Sequence, residues 1–572
     1  MESFMQDLAF LTELPGWVAG AGIVIVALIL GYTGAALWLW AAAGLIALAG
    51  FGAPVWLTAV YIVLAIVFNV KPLRRTLLSG PMMKLLDALK ILPAISETEQ
   101  TAIDAGTVWI EGELFSGKPD FKRMNSETYP EFTEKERAFL DGPVEELCSM
   151  VSDWEVFQRK GFDDKTWDYL KEKRFFGLII PEKYGGYGFS ANAHSAIVAK
   201  LASRCGPLAT TVMVPNSLGP AELLMHYGTE EQKNHYLPRL ATGEEIPCFA
   251  LTEPNAGSDA GAMQSHGEVF KDDDGNLKLK LNWDKRYITL AAISTVIGLA
   301  FKLYDPKNLL GKGKDLGITA ALIPSDTDGV ELGMRHDPLG VPFYNCPTKG
   351  KDVIVSVDAI IGGVEGAGNG WRMLMESLAV GRGISLPAQS IGGARTATRA
   401  IGAYALIRKQ FGLNIGKFEG IEEPMARIGG YTYLMDAARG YICGALDKGA
   451  KPAVVTAIAK YNFTELGREV INDAMDIVGG AGISRGPRNM FAHSYIATPI
   501  AITVEGANIL TRTLMIFGQG AIRSHPYALK EINALMNKDV KGFDNAFWKH
   551  IGHVVQNSIR SLLLSFTRGR LS

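Results

Sequence analysis

Cysteine is scarce: five residues in 572, at positions 148, 205, 248, 346 and 443. No two of them form a C-x-x-C pair, so neither a zinc site nor a disulfide framework is indicated. The thiols read as reduced side chains of a reducing compartment. Global charge is also lacking, with a formal net charge of −2. No basic field exists to hold nucleic acid, and an anionic ligand must be gripped locally. The chain has no G-x-x-x-x-G-K-[ST] and no H-E-x-x-H, and its nine histidines fall at no metal-ligand spacing. A P-loop hydrolase and a metal centre are therefore not expected. The glycine-rich G-A-G-N-G at 366–370 lacks dinucleotide spacing and reads as a turn entering a helix.

Residues 14–70 contain no Asp, Glu, Lys or Arg. As helix, an uncharged run of that length could cross a ~30 Å hydrocarbon core two or three times. Natural breaks are G-Y-T-G at 31–34 and G-F-G-A-P at 50–54, and Trp38, Trp40 and Trp56 suit membrane interfaces. Glu2, Asp7 and Glu13 precede the run, unlike the positive start of a signal peptide. Lys71, Arg74 and Arg75 follow it, and the positive-inside rule puts the next part of the chain in the cytoplasm. The expectation is a transmembrane anchor over residues 1–75. Residues 82–90 suit an interfacial amphipathic helix or a packing helix.

Hydrophobic residues make up 48% of the chain and charged residues 20%, a globular composition with an apolar excess. The length suggests about three to four domains. After the anchor we expect a connector (76–130), a helical domain (131–246), a middle β domain (247–365), a helical bundle domain (366–527) and a helical tail (528–572). The fold class is α+β. In the first helical domain G-T-E-E-Q at 228–232 is a capping-box start. The middle domain has short β-rich runs at 277–282, 318–323 and 353–357 between Gly, Asp and Pro turns. In the tail, Trp548, Ile551, Val555, Ile559, Leu562 and Phe566 share one helical stripe. That stripe suits a partner helix, a membrane surface or plain packing.

Two segments carry chemistry. At 248–259, C-F-A-L-T-E-P-N-A-G-S-D is an apolar strand running into a loop of small and hydroxyl residues. Its backbone N–H groups and the Thr252 and Ser258 hydroxyls can bond a polar ring edge or a phosphate. At 494–511, Glu505 is the one charged side chain in an apolar run. A carboxylate in such surroundings loses hydration, its pKa rises towards neutrality, and it becomes suited to general-base work. Pairing with Arg512 or reaching solvent is the plainer alternative.

The 248–259 segment closely resembles the flavin-contact signature of the acyl-CoA dehydrogenase family. G-T-E-E-Q-K-N-H-Y-L-P at 228–238 resembles the helix before it, and N-W-D-K-R-Y-I-T at 282–289 the next strand. R-K-Q-F-G at 408–412 resembles the family's R-x-x-F-G, G-G-A-G at 479–482 its G-G-x-G turn, and the run from Glu505 to Arg512 its E-G-x-x-x-x-x-R. These span about residues 130–525, in the family's order.

The resemblance implies an acyl-CoA dehydrogenase fold: a helical domain, a β-barrel-like middle domain and a C-terminal four-helix bundle. It implies FAD as cofactor, contacted by Phe249, Leu251, Thr252, Gly257, Ser258, Tyr287, Ile288, Thr289, Arg408, Phe411, Gly479 and Gly480. It implies that Glu505 removes the α-proton of a fatty acyl-CoA while the β-hydride leaves to the flavin, giving the trans-2-enoyl-CoA. The backbone N–H of Glu505 would bond the thioester carbonyl. Ser258, Arg382 and Gly506 would contact substrate. R-x-x-F-G meets the FAD of a neighbouring subunit in the family, which implies a homo-oligomer.

Some residues depart from the common pattern: Tyr287 for Trp, Glu419 and Asp476 for Gln, and Ala507 and Ile509 after the base. With the anchor added, the resemblance is to large membrane-associated bacterial members that act in β-oxidation. It implies an inner-membrane location facing the cytoplasm. The electron acceptor would be an electron-transfer flavoprotein or a membrane carrier. Those members carry a further C-terminal helical region, so this sequence either lacks it or is a piece of a longer chain. Competing functions are a flavin oxidase or monooxygenase on the same fold, or an inactive membrane scaffold.

Overall fold

The computed structural model describes residues 9–89, 97–104, 106–129, 131–217 and 219–570. Glu2, Asp7 and Lys90 lie outside the described residues. The chain forms two compact units, Met1–Ile95 with Ile110–Met124 and Ala521–Ser572, and Ser96–Trp109 with Asn125–Gly520. The anchor, part of the connector and the tail therefore share one unit.

In that first unit the uncharged stretch is cut into three helices, Gly16–Thr33, Leu37–Gly50 and Val55–Asn69. Gly34 ends the first in a left-handed conformation, and Pro54 starts the third. Their lengths are about 27, 21 and 22 Å at the helical rise, against a ~30 Å hydrocarbon core. Among the described residues, by length and composition, only Gly16–Thr33 is long enough to span alone. A second candidate is the pair Val55–Asn69 and Lys71–Ala88, bent by 87°. One or two candidates thus replace the expected two or three. The shortfall comes from the breaks, which use residues that a continuous helix would need. Tyr61 donates to the carbonyl of Ala41 (3.0 Å) and pins the second and third helices together.

The tail helix Val540–Thr567 packs within this unit. Asp544 is buried and accepts from Arg74 Nε (2.8 Å) and Nη2 (2.9 Å) and from Ser79 Oγ (2.8 Å). Arg75 stands 3.4 Å away. Two of the three cations taken as topology signals are therefore internal ion-pair partners. Trp548 donates to Ser79, and Ile559 lies against Gly31. The tail stripe is split accordingly: Trp548 and Ile559 face protein, while Ile551, Val555, Leu562 and Phe566 are exposed.

The second unit follows the expected order of helices, sheet and helices. Thr229 caps Glu230–Thr242 in a capping box with Gln232, as the spacing predicts. The middle part is one seven-stranded sheet rather than short separate runs. Its strands are β1 (Pro247–Ala250), β2 (His266–Lys271), β3 (Leu277–Ile288), β4 (Val296–Tyr304), β5 (Asp315–Pro324), β6 (Val330–Leu332) and β7 (Cys346–Ser356). β4 pairs antiparallel with β5 on one edge. On its other edge it pairs parallel first with β1, at 296–299, and then with β2, at 302–304. The chain between β1 and β2 has no place in the ladder and must leave the sheet. That excursion is the loop predicted to meet a flavin.

Three long helices follow, Gly370–Ile407, Glu419–Asp447 and Ala453–Val478. The fourth position of the expected bundle is interrupted. Ala492–Ala501 ends, an irregular loop holds Glu505, and the chain resumes as Asn508–Leu510 and a π-helical run Thr511–Gly520. π-helical turns break the regular ladder and recur at functional sites.

Candidate active site

The excursion between β1 and β2 is pinned from beneath by Glu253. Its buried carboxylate accepts from the N–H of Gln264 (2.6 Å), the N–H of Ser265 (3.0 Å), the Ser265 hydroxyl and Lys285 Nζ (2.8 Å). Lys285 is 0% exposed and also donates to the carbonyl of Leu251 (3.0 Å). Burial pushes Glu253 up, but these donors outweigh it and hold the carboxyl below the ordinary range. Burial lowers Lys285 to about 8 against the pull of Glu253. Neither residue was singled out from sequence. The signal was available, because Leu279, Leu281, Trp283 and Lys285 alternate on one buried face of β3. A lysine on such a face demands a buried partner.

This frame joins the predicted flavin contacts. The N–H of Arg286 donates to the carbonyl of Thr252 (3.0 Å), so the loop and the end of β3 lie side by side. Phe249, Leu251, Thr252 and Thr289 are half-buried, and Gly257 and Ser258 are exposed. Tyr287 adopts φ 60° and turns its ring outward, 58% exposed, with His336 Nε2 accepting its N–H (3.2 Å). Ile288 points the other way, into the sheet core, which leaves only its backbone for a cofactor. A second group lies on the helices. Arg408 begins a hairpin, Lys409–Gln410 with Leu413–Asn414, whose tip is Phe411. Phe411 is 95% exposed. Tyr404, one turn earlier, donates to the carbonyl of Val478 (3.4 Å) and brings the open turn at Gly479 and Gly480 beside the hairpin root.

Glu505 is built in the opposite way from Glu253. Both its carboxylate oxygens are buried and neither has a hydrogen-bond partner. Burial raises its pKa to about 7, with Arg382 and Lys460 opposing the rise. The neighbouring cations bind the loop backbone instead. Arg382, buried, donates from Nε to the carbonyl of Glu505 (2.9 Å). Lys460 Nζ donates to the carbonyl of Gly506 (2.7 Å) and to Asn508 Oδ1 (2.6 Å). Arg382, expected among the substrate contacts, stands beside the Glu505 backbone. Lys460 and Asn508 went unnoticed in sequence, although Ala457, Lys460, Thr464 and Gly467 fall at the spacing of one buried helix face. Gly506, at φ 90°, has Thr511 Oγ1 at 3.2 Å from where a Cβ would lie. Among the described residues no group of side chains could hold a metal ion.

These features fit a flat ring with polar edges beside a proton acceptor. They supply an outward aromatic ring at Tyr287, an open Gly–Ser loop, open glycines at 479–480 and an orphaned buried carboxylate. Four domain families match in chain order. They are the acyl-CoA dehydrogenase N-terminal domain (126–244), middle domain (248–353), C-terminal domain (368–516) and bacterial-type C-terminal domain (522–572).

The chain belongs to the acyl-CoA dehydrogenase family. It is similar to the 3-(aryl)acrylate reductase of Clostridium sporogenes, 34% identical over 332 residues, or 56% of this chain and 82% of that one. It is 31% identical over 348 residues to subunit CarC of the caffeyl-CoA reductase–Etf complex of Acetobacterium woodii, which covers 60% of this chain and 86% of that one. The structure of butyryl-CoA dehydrogenase from Megasphaera elsdenii superposes with a TM-score of 0.60 at 26% identity, over 69% of this chain and 100% of that one. The protein is an FAD-dependent oxidoreductase of the acyl-CoA dehydrogenase type. Its tail, whose stripe suits a partner helix, a membrane surface or plain packing, matches the family's bacterial-type C-terminal domain over residues 522–572.

Proposed function

We propose that this acyl-CoA dehydrogenase oxidises fatty acyl-CoA to trans-2-enoyl-CoA, the first step of fatty-acid β-oxidation. The observation that carries this is Glu505, a buried carboxylate without a partner and with a pKa raised to about 7. It can take up a proton at cellular pH and needs no partner displaced to do so. Its target is the α-proton of the thioester. Thr252 and Ser258, with the backbone of their loop, bind the cofactor edge, and Tyr287 covers its ring. FAD, when bound, supplies the two-electron acceptor for the β-hydride. Arg382 and Lys460 hold the base loop while the proton moves.

Two relatives are named as reductases and the superposed structure is a dehydrogenase. One site serves both directions, because proton and hydride retrace the same path. The potential of the acceptor sets the direction. We assign an electron-transfer flavoprotein, as in the name of the CarC complex, or a membrane carrier. The apolar N-terminal helices support attachment to the bacterial inner membrane, and we place the catalytic part in the cytoplasm on the remaining basic residue after the apolar stretch, Lys71. The exposed Leu406, Ile407 and Phe411 support a homo-oligomer that covers the hairpin.

The test is anaerobic mixing of the flavin-loaded protein with saturated acyl-CoAs of increasing chain length. Flavin bleaching by a long-chain member is the expected result. No bleaching by any saturated acyl-CoA, with enoyl-CoA returning the colour of reduced flavin, would assign a reductase instead. Alkaline carbonate extraction of cell membranes tests the location, and release of the protein into the supernatant would contradict integral attachment.

A further inference from the structure

Glu505 and Gly506 are consecutive residues with positive φ, 54° and 90°. The first is not glycine, and such a conformation persists only where its surroundings over-determine it. The donors here are two buried cations on separate helices. Arg382, from Gly370–Ile407, takes the Glu505 carbonyl, and Lys460, from Ala453–Val478, takes the Gly506 carbonyl and Asn508 Oδ1. Asn508 is tied back in turn, donating to Thr464 Oγ1 (3.0 Å) and Glu465 Oε1 (2.7 Å). Thr511 Oγ1 adds a second donor to the Gly506 carbonyl (3.0 Å). The donors from Arg382, Lys460 and Thr511 all go to the carbonyl edge of the loop or to Asn508, and the carboxylate keeps none.

Resting on Glu505 as the base, we propose that Lys460 is the positioning residue of the reaction. By gripping the Gly506 carbonyl and Asn508 it fixes the left-handed turn that holds the Glu505 carboxylate unpaired. Its charge has a second effect. The charged groups facing Glu505 are Arg382 and Lys460, with Glu465 behind Asn508. Both cations oppose the rise that burial imposes on the carboxyl, and Lys460 is itself lowered to about 8 by burial. A lysine at this point thus tethers the loop and tunes the base, through different atoms of the environment.

Three variants of the flavin-loaded full chain separate the two effects. The readouts are single-turnover flavin reduction, the acyl-CoA KM, and an infrared titration of the carboxyl band that Glu505→Gln removes. Lys460→Met is expected to slow reduction about tenfold or more above the carboxyl midpoint, with KM nearly unchanged. Lys460→Gln keeps a donor and loses the charge, so the midpoint moves upward by about one pH unit while the rate above it is largely retained. Lys460→Arg keeps the charge and holds the midpoint. Wild-type rate and midpoint in Lys460→Met would overturn the proposal. If Lys460→Met does not load flavin, an unmoved midpoint in Lys460→Gln overturns it. A Glu505→Gln variant that still reduces its flavin would instead remove the base reading itself.

Discussion

Two buried carboxylates on two loops of one catalytic unit are treated in opposite ways. Glu253 receives the Gln264 and Ser265 amides, a hydroxyl and the Lys285 ammonium, while Glu505 receives none of the donors that surround it. Full satisfaction holds one carboxyl below its ordinary range, and burial without a partner lifts the other to about 7. The cations beside each loop show the same division. Lys285 spends its charge on the carboxylate of Glu253, whereas Lys460 and Arg382 bind backbone carbonyls around Glu505. A paired carboxylate fixes a loop and is spent. An unpaired one costs folding free energy and remains free to take a proton. A charged residue in an apolar run therefore says little until its donors are counted.

The largest expected effect is on chemistry. Glu505→Gln should slow anaerobic flavin reduction about a thousandfold, with the flavin band intact. Glu253→Gln should act on structure. It leaves the Lys285 ammonium buried without its counter-charge and costs about 3 kcal/mol in denaturant unfolding. It should also lower flavin retention on gel filtration. Equal flavin retention and stability in that variant would break the comparison.

The pH dependence should run in opposite senses. The folded pKa of Glu253 is lowered, so its stabilisation is present above the ordinary carboxylate pKa and lost as pH falls through the depressed one. The folded pKa of Glu505 is raised, so its contribution is present below the ordinary value of 4.5 and lost as pH rises through about 7. Glu505→Gln should accordingly gain roughly 3 kcal/mol over wild type near pH 8 and nothing near pH 4, by thermal unfolding at each pH. A smaller effect is expected at the edge of the helical domain. Thr229→Ala removes the capping box and should cost about 1 kcal/mol without changing flavin reduction.

The parts legible in sequence were those carried by contrast. Glu505 stood out as the one charge between residues 494 and 511, and the resemblance of its run to the family's E-G-x-x-x-x-x-R marked it as the candidate base. The capping box at Thr229 and the order of helices, strands and helices follow local spacing, and the structure retains them. Pairings between distant segments were not legible. Asp544 lies 470 positions from Arg74, and no periodicity announces their ion pair. Lys285 and Lys460 sit on apolar faces whose period was there to be read, yet their partners lie on other elements. The N-terminal stretch shows the limit of counting length. Absence of charge marked it as apolar, but Gly34 and Pro54 decide how long each helix is.

Catalysis turns on the ionisation of one side chain. Its most direct test is the pH dependence of single-turnover flavin reduction by a saturated acyl-CoA in the wild-type protein. The unpaired, buried Glu505 predicts a rate that climbs with a midpoint near pH 7. A midpoint in the ordinary carboxylate range near 4.5, or a rate indifferent to pH across that interval, would contradict it.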